Sequence, residues 1–250
     1  MKTDNFRAII SSDWNQCLAP CGPFDPMVYT YPDLTSDLTT IFKEYTNNGI
    51  SLGTAKQKIK NRLPGPISIR QMDAYLDNAF ITYKGVPELI DWCAKNKILF
   101  MINTTGFMGY FQRIFVKKLL PKVPVLSANS MIRYPAIETD PPQMYDLKEI
   151  QDKGKNTARA LKIFGISKTK VVIIGDSGGD GPHFEWGKKQ KAYRIGSMAK
   201  PSLINYCNRK KIKINFLFGP TFKNGEKKSE EDEMIVDFME LSSAFEKILE

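Results

Sequence analysis

The residues best placed to do chemistry form the run Val171-Val172-Ile173-Ile174-Gly175-Asp176-Ser177-Gly178-Gly179-Asp180, an apolar β-branched stretch that ends in two carboxylates. An unbroken Val/Ile run is what a strand covered on both faces requires. In open sheets of such strands, ligand chemistry gathers at the carboxyl ends. Asp176 and Asp180 are therefore candidate Mg²⁺ ligands, because hard cations take oxygen donors. The N-terminal stretch has the same layout, Ala8-Ile9-Ile10 running through Ser11-Ser12 into Asp13-Trp14-Asn15-Gln16-Cys17. Near the middle, Ile98-Leu99-Phe100-Met101-Ile102 runs into Asn103-Thr104-Thr105-Gly106, so that small hydroxyls and a glycine stand where the other strands carry aspartates.

The elements that must position these groups follow from the intervening patterns. Asp152-Lys153-Gly154-Lys155-Asn156-Thr157 opens a helix carrying Ala158, Leu161, Ile163 and Phe164 and closing at Gly165. Tyr83-Lys84-Gly85-Val86-Pro87 leads into a helix before the middle strand. Further strands are expected at 123–126, 193–195 and 214–218, with helices around 107–119 and 202–209. Residues 223–233 are a charge run expected to be an exposed loop, and 234–249 reads as a short strand and a terminal helix. Strands alternating with helices imply an α/β fold with a doubly wound, mostly parallel sheet.

Strand-end acid, strand-end hydroxyl, helix-borne lysine and strand-end acid pair, in that order, resemble the haloacid dehalogenase-like (HAD) hydrolase superfamily over nearly the whole chain. In that family the first motif is Asp-x-Asp-x-Thr, the second a Ser or Thr ending a strand, the third a Lys and the fourth Gly-Asp-x-x-x-Asp. The fourth is matched by Gly175-Asp176 and Asp180. In the first, Asp13 holds the nucleophile position, Asn15 replaces the second Asp, and Cys17 replaces the Thr. The resemblance implies a Rossmannoid core and phosphoryl transfer through an aspartyl-phosphate at Asp13. It implies Mg²⁺ held by Asp13, Asp176 and the main-chain carbonyl of Asn15, with Asp180 binding the metal directly or orienting its waters. Lys155, or Lys153 if the register slips by two, would offset charge on nucleophile and phosphate. Thr104 would hydrogen-bond a phosphoryl oxygen, with Asn103 or Thr105 as alternatives for its place and Gly106 beside it.

Asn15 is the departure with the largest consequence. The family's second Asp protonates the departing alkoxide and then deprotonates the attacking water, and an amide does neither. Loss of such a group costs about 10²- to 10⁴-fold with a poor leaving group. The expectation is a phosphohydrolase acting on a small phosphorylated substrate with a good leaving group, or one taking its acid–base group from elsewhere, with Asp25 a candidate. The alternatives are a phosphonate or haloacid-type C–P or C–halogen hydrolase, and a catalytically impaired binding or regulatory protein. Cys17 with His183 invites a Cys–His hydrolase reading, but the supporting third residue is missing. Cys17, Cys21, His183 and Cys207 lack the paired spacing of a zinc knuckle.

The chain has 250 residues, 42% of them hydrophobic and 11% aromatic, enough for a substantial core. No stretch has the length of uncharged apolar sequence that a membrane helix needs. The opening residues lack the apolar region of a secretory signal, and four irregularly spaced cysteines suit a reducing compartment, so a cytoplasmic enzyme is expected. The net charge of +9 comes from scattered lysines without interleaved aromatics, so no nucleic-acid partner is expected.

The domain organisation expected is a core of residues 1–19 and 84–250 interrupted by a helical cap at 20–83. Ala19-Pro20-Cys21-Gly22-Pro23-Phe24-Asp25-Pro26 is a turn-rich exit from the core. Ser36 can cap a helix with Leu38, Ile41, Phe42 and Tyr45 on one face that ends at Asn47-Asn48-Gly49. A second segment spans 52–63 before Pro64-Gly65-Pro66, and a third carries Ile69, Met72, Leu76 and Phe80 at helical spacing.

Overall fold

The structure is a computed structural model and describes residues 5–46, 49–221 and 229–249. Its centre is a sheet of 7 strands: β1 (Ala8–Ser12), β2 (Ile98–Phe107), β3 (Val125–Asn129), β4 (Gln143–Asp146), β5 (Val171–Gly175), β6 (Tyr193–Ser197) and β7 (Phe216–Phe218). The spatial order is β4-β3-β2-β1-β5-β6-β7, and every neighbouring pair is parallel. From β1 the chain builds outward through β2, β3 and β4, then returns to the other side of β1 with β5. The strand order therefore reverses between β1 and β5, the place where an open α/β sheet forms its ligand crevice.

The unbroken apolar runs are explained by cores on both faces. Ile10, Phe100, Ile102, Val172 and Ile174 point to one core, while Ile9, Leu99, Met101, Val171 and Ile173 point to the other. This is the two-residue alternation of a strand with both sides buried. The second face is covered by α7 (Asp152–Phe164), α8 (Gly181–Gln190) and α9 (Pro201–Arg209), through Leu161, Phe184 and Leu203. The first is covered by α5 (Val86–Lys95), α6 (Met108–Val116) and α11 (Glu240–Leu249), through Leu89, Phe111 and Phe245. This is the doubly wound α/β architecture expected from the sequence.

Between β1 and α5 the chain forms a helical insert: α1 (Asp25–Thr30), a 3-10 turn at Pro32–Leu34, α2 (Thr35–Thr46), α3 (Leu52–Arg62) and α4 (Ile69–Ala79). The three expected helices are present. Asp25-Pro26, read as a turn, instead opens α1, with proline near the helix start where its fixed φ is compatible and its missing N–H costs nothing. Ser68 and Gln71 form a reciprocal capping box at α4, which explains where that helix begins. The insert is tied to the core by Arg113 of α6, which grips Asp73 of α4 with two bonds of 2.7 and 2.9 Å. It is tied also by Glu149, whose carboxylate accepts from the Leu52 and Gly53 N–H groups at the start of α3.

Other expectations shift. The strand expected at 123–126 is β3, whose range begins at Val125, and β4 was not anticipated because its four residues are too few for a periodic signal. Residues 230–234 form the short helix α10 (Glu230–Met234), capped by Ser229, instead of a loop. No strand follows Met234 before α11. Residues 223–228 of the charge run, and Asn47-Asn48 at the expected end of α2, lie outside the described residues.

Candidate active site

Asp13 leaves the end of β1 and Asp176 the end of β5, and the Ser12↔Ile174 register of these strands sets the two side by side. Asp13 N–H donates to the Ile174 carbonyl at 3.0 Å, which fixes its backbone against β5. Asp13 Oδ1 accepts from Trp14 N–H at 2.7 Å. Asp180 stands in a 3-10 turn, where its Oδ2 accepts from the N–H groups of Asp176 (3.0 Å) and Ser177 (3.3 Å). That closure requires glycine at 175, since a Cβ there would lie 2.6 Å from Asp180 Cβ and Cγ. One oxygen from each of Asp13, Asp176 and Asp180 lies within 4.8 Å of the others, and all three residues are buried.

Lys153, not Lys155, enters this cluster. Lys153 is 1% exposed, with Nζ 3.1 Å from Asp13 Oδ2 and 2.5 Å from Asp180 Oδ1. Lys155 is solvent-exposed and pairs with Asp152 at 2.9 Å. The buried face of α7 consists of Lys153, Gly154, Thr157, Ala160 and Leu161, and stepping back from Leu161 in fours reaches 157 and 153. Ala158 and Ile163, two of the apolar residues named for this helix, are exposed.

The middle strand also resolves its ambiguity. Asn103 lies beneath the site, its Nδ2 donating to the Lys153 carbonyl (2.9 Å), Ser11 Oγ (3.0 Å) and Thr157 Oγ1 (3.1 Å). Thr104 is fully buried, with Oγ1 donating to Asn15 Oδ1 at 3.1 Å and accepting from Gly106 N–H at 3.1 Å. Thr104 and Gly106 thus hold Asn15 instead of facing the cleft, and a Cβ at Gly106 would lie 2.8 Å from Asn15 Oδ1. Thr105 is the strand-end hydroxyl that faces the cleft. Asn15 Nδ2 donates in turn to the Cys21 carbonyl at 3.4 Å, so both ends of the amide are engaged.

The cleft over these groups has a volume of about 240 Å³. Asp13, Asp176, Lys153 and Lys200 line it as a charged floor, and Pro23, Phe42, Tyr45 and Ile150 contribute an apolar wall. Lys200 was missed by sequence reasoning. Its Nζ lies 2.5 Å from Asp176 Oδ2 and 2.5 Å from Gln16 Oε1, and its N–H donates to the Asp176 carbonyl at 2.7 Å. The available signal was its place just beyond the β6 strand, the same strand-end position that singled out the aspartates.

Three carboxylates face two lysines, Lys153 and Lys200, which leaves one uncompensated negative charge in the cluster. Burial, and then the Asp180 and Asp176 carboxylates, push the Asp13 pKa up to about 7 despite Lys153. Lys153, through charge and hydrogen bond, holds Asp180 below the usual carboxylate range despite its burial. A crowded set of hard oxygens with surplus negative charge fits a divalent cation such as Mg²⁺. Asp13, Asp176 and Asp180 can supply its carboxylate ligands.

The competing constellations do not assemble. His183 is fully buried in the network beneath the site, with Nε2 3.1 Å from Thr157 Oγ1, and burial pushes the Cys17 thiol well up. The acidic trio is the sole group of metal-ligating side chains among the described residues, so Cys17, Cys21, His183 and Cys207 form no zinc site there. Asp25 accepts from Gly22 N–H at 2.6 Å and is not part of the cleft wall. No helix among the described residues is long and apolar enough to cross a membrane.

Compared with known proteins, the sequence matches no family model and no curated protein. The structure does resemble solved ones. A phosphoserine phosphatase captured as a phospho-aspartyl intermediate analogue superposes with a TM-score of 0.66 at 16% identity, over 96% of this chain and 99% of that one. A HAD family hydrolase from Salmonella enterica serovar Typhi superposes at 0.64 with 15% identity, over 85% of this chain and 68% of that one. A phosphoserine phosphohydrolase-like protein from Francisella tularensis gives 0.54 at 14% identity, over 84% and 94%. The chain has the fold of the HAD-like hydrolases.

Proposed function

We propose that this chain is a Mg²⁺-dependent phosphohydrolase of the HAD type, acting in the cytoplasm on a small phosphorylated substrate. The observation that carries the reading is the junction of Asp13, Asp176 and Asp180 with Lys153 at the floor of a small cleft, at the point where the strand order reverses. A C–P or C–halogen substrate has no specific observation in its favour.

In this reading, Asp13, Asp176, Asp180 and the Asn15 main-chain carbonyl would hold Mg²⁺, which when bound would supply positive charge against the repulsion between carboxylate and phosphate. Asp13 attacks phosphorus; a bond forms between its carboxylate oxygen and phosphorus as the bond to the leaving oxygen breaks. Lys153 offsets negative charge on the nucleophile and the phosphoryl oxygens, and the Thr105 hydroxyl donates to one of those oxygens. Water then attacks phosphorus as the bond to the Asp13 oxygen breaks, its proton staying with the released phosphate, which frees Asp13 and orthophosphate. Asn15 supplies no proton to the leaving oxygen, so the reaction is confined to leaving groups that depart as stable anions. The helical insert, residues 20–83, acts as a cap that closes one side of the cleft through Phe42 and Tyr45 of α2.

The test is orthophosphate release from phenyl phosphate with Mg²⁺ and with excess chelator. Turnover should require the metal, and Asp13→Asn should lower it by about 10³-fold or more. Release that ignores the metal, or that survives in Asp13→Asn, would overturn the reading. Complete absence of turnover on good leaving groups would favour a binding or regulatory module.

A further inference from the structure

The charged side chains that line the cleft are few and already paired. Asp13, Asp176, Lys153 and Lys200 cluster on the floor, and each lysine is already paired: Lys153 with Asp13 and Asp180, Lys200 with Asp176 and Gln16. The same cleft is lined by Pro23, Phe42, Tyr45 and Ile150, which make up its apolar wall. The Tyr45 hydroxyl lies near the Thr105 side chain and the Asp13–Lys153 pair, so it is the ring of Tyr45, with Phe42, Pro23 and Ile150, that supplies apolar surface to the cleft. Phe42 is itself braced edge-to-face against Phe24, with ring centroids 5.5 Å apart.

A substrate placing its phosphate on the floor puts its leaving group against this wall. An ammonium or carboxylate there would lose water without gaining a counter-ion, which disfavours its binding. Aromatic carbon would instead be favoured by burial and by offset or edge contacts with the two rings. The volume, about 240 Å³, is below the range of about 300–1,000 Å³ typical of sites for drug-sized ligands. Asn15, held at both ends by Thr104 and Cys21, adds an independent restriction: the leaving oxygen must depart without a proton from that position.

Resting on the phosphohydrolase reading above, we propose that the substrate class is the phosphate monoester of a small, uncharged phenol or enol. The wall selects against charge on the leaving group, and Asn15 selects against alkoxide departure. This separates the chain's specificity from that of an amino-acid phosphate ester, whose leaving group is both zwitterionic and an alkoxide.

The test compares phenyl phosphate, 4-carboxyphenyl phosphate and n-propyl phosphate on the native protein with Mg²⁺. The carboxylated phenol is the better leaving group, so chemistry alone favours its ester and only the wall can favour the neutral one. The expected result is a kcat/KM for phenyl phosphate at least about tenfold above that for 4-carboxyphenyl phosphate, expressed mainly in KM, and about 10²-fold or more above n-propyl phosphate. Phe42→Lys should narrow the first ratio by placing a cation on the wall. Equal or better use of the carboxylated ester, or of the propyl ester, overturns this proposal while leaving a phosphohydrolase standing. An unchanged ratio in Phe42→Lys overturns the assignment to this wall. Failure to release phosphate from any ester overturns the phosphohydrolase reading and this one with it.

Discussion

Lys153 is the residue on which the electrostatics of the site turn. It bridges Asp13 and Asp180 from within a fully buried position, while Lys155, one short step along the same helix, points to solvent. If Asp13 is the nucleophile as proposed, Lys153→Met should lower turnover by about 10²-fold or more, because it leaves Asp13 and the phosphoryl group without their nearest fixed positive charge. Lys155→Met should leave turnover unchanged and shift stability by no more than about 0.5 kcal/mol. Comparable losses in both variants, measured side by side by phosphate release, would discard the assignment. The aspartates and the Asn15 departure were legible in the sequence because strand ends are marked by the halt of an apolar run. The lysine register was left open between 153 and 155, because the apolar residues of α7 include Ala158 and Ile163, which are exposed, and so do not define its buried face. Lys200 was hidden for a different reason: it acts through a distant carboxylate, and a contact between positions 176 and 200 leaves no trace in local periodicity.

Among the elements, α3 shows how the insert is held against the core. Its first backbone N–H groups are capped by Ser51 from its own chain segment and by Glu149 from the loop between β4 and α7. A carboxylate on a helix N-terminus satisfies two otherwise unpaired donors and complements the helix dipole. The close approach also demands Gly53, where a Cβ would stand 2.7 Å from Glu149 Oε1. Glu149→Ala should cost about 1 kcal/mol in denaturant unfolding. It should raise KM more than it changes kcat, since it loosens the elements that carry Phe42 and Tyr45 without touching Asp13. A fall in kcat at constant KM would refute that division of labour. The helices of the insert could be read from their apolar spacing and terminal signals such as Ser68 with Gln71. The short elements could not: β4 and α10 have too few residues to display a period, and they exist because neighbouring structure supplies their partners.

For the molecule as a whole, the buried network beneath the site makes stability depend on acidity. His183 is enclosed among α7 and α8, and burial, reinforced by the nearby Lys153 charge, pushes its pKa down to about 3 from 6.5. Between those values the unfolded chain binds a proton that the native state refuses. Stability from this group is therefore intact above pH 6.5 and declines as pH falls through the window, by about 1.4 kcal/mol per unit. Asp13 works in the opposite sense, because its raised pKa lets the native state take up a proton near pH 7 that the unfolded chain does not bind until about 3.8. Comparing the wild type with His183→Gln separates the two. Between pH 7.5 and pH 5.0 the wild type should lose about 2 kcal/mol more than the variant, and equal losses would remove the histidine from the account.

The pairing of β1 with β5 has a consequence for the order of events during synthesis. Ile9 sits beside Val171 in the finished sheet, so β1 must wait for most of the polypeptide to emerge before its second neighbour arrives. Contacts of such long sequence separation are costly to close and form late. A ribosome-bound fragment ending before β5 holds Asp13 but neither Asp176 nor Asp180. The acidic cluster of the proposed site is therefore incomplete until β5 has paired with β1.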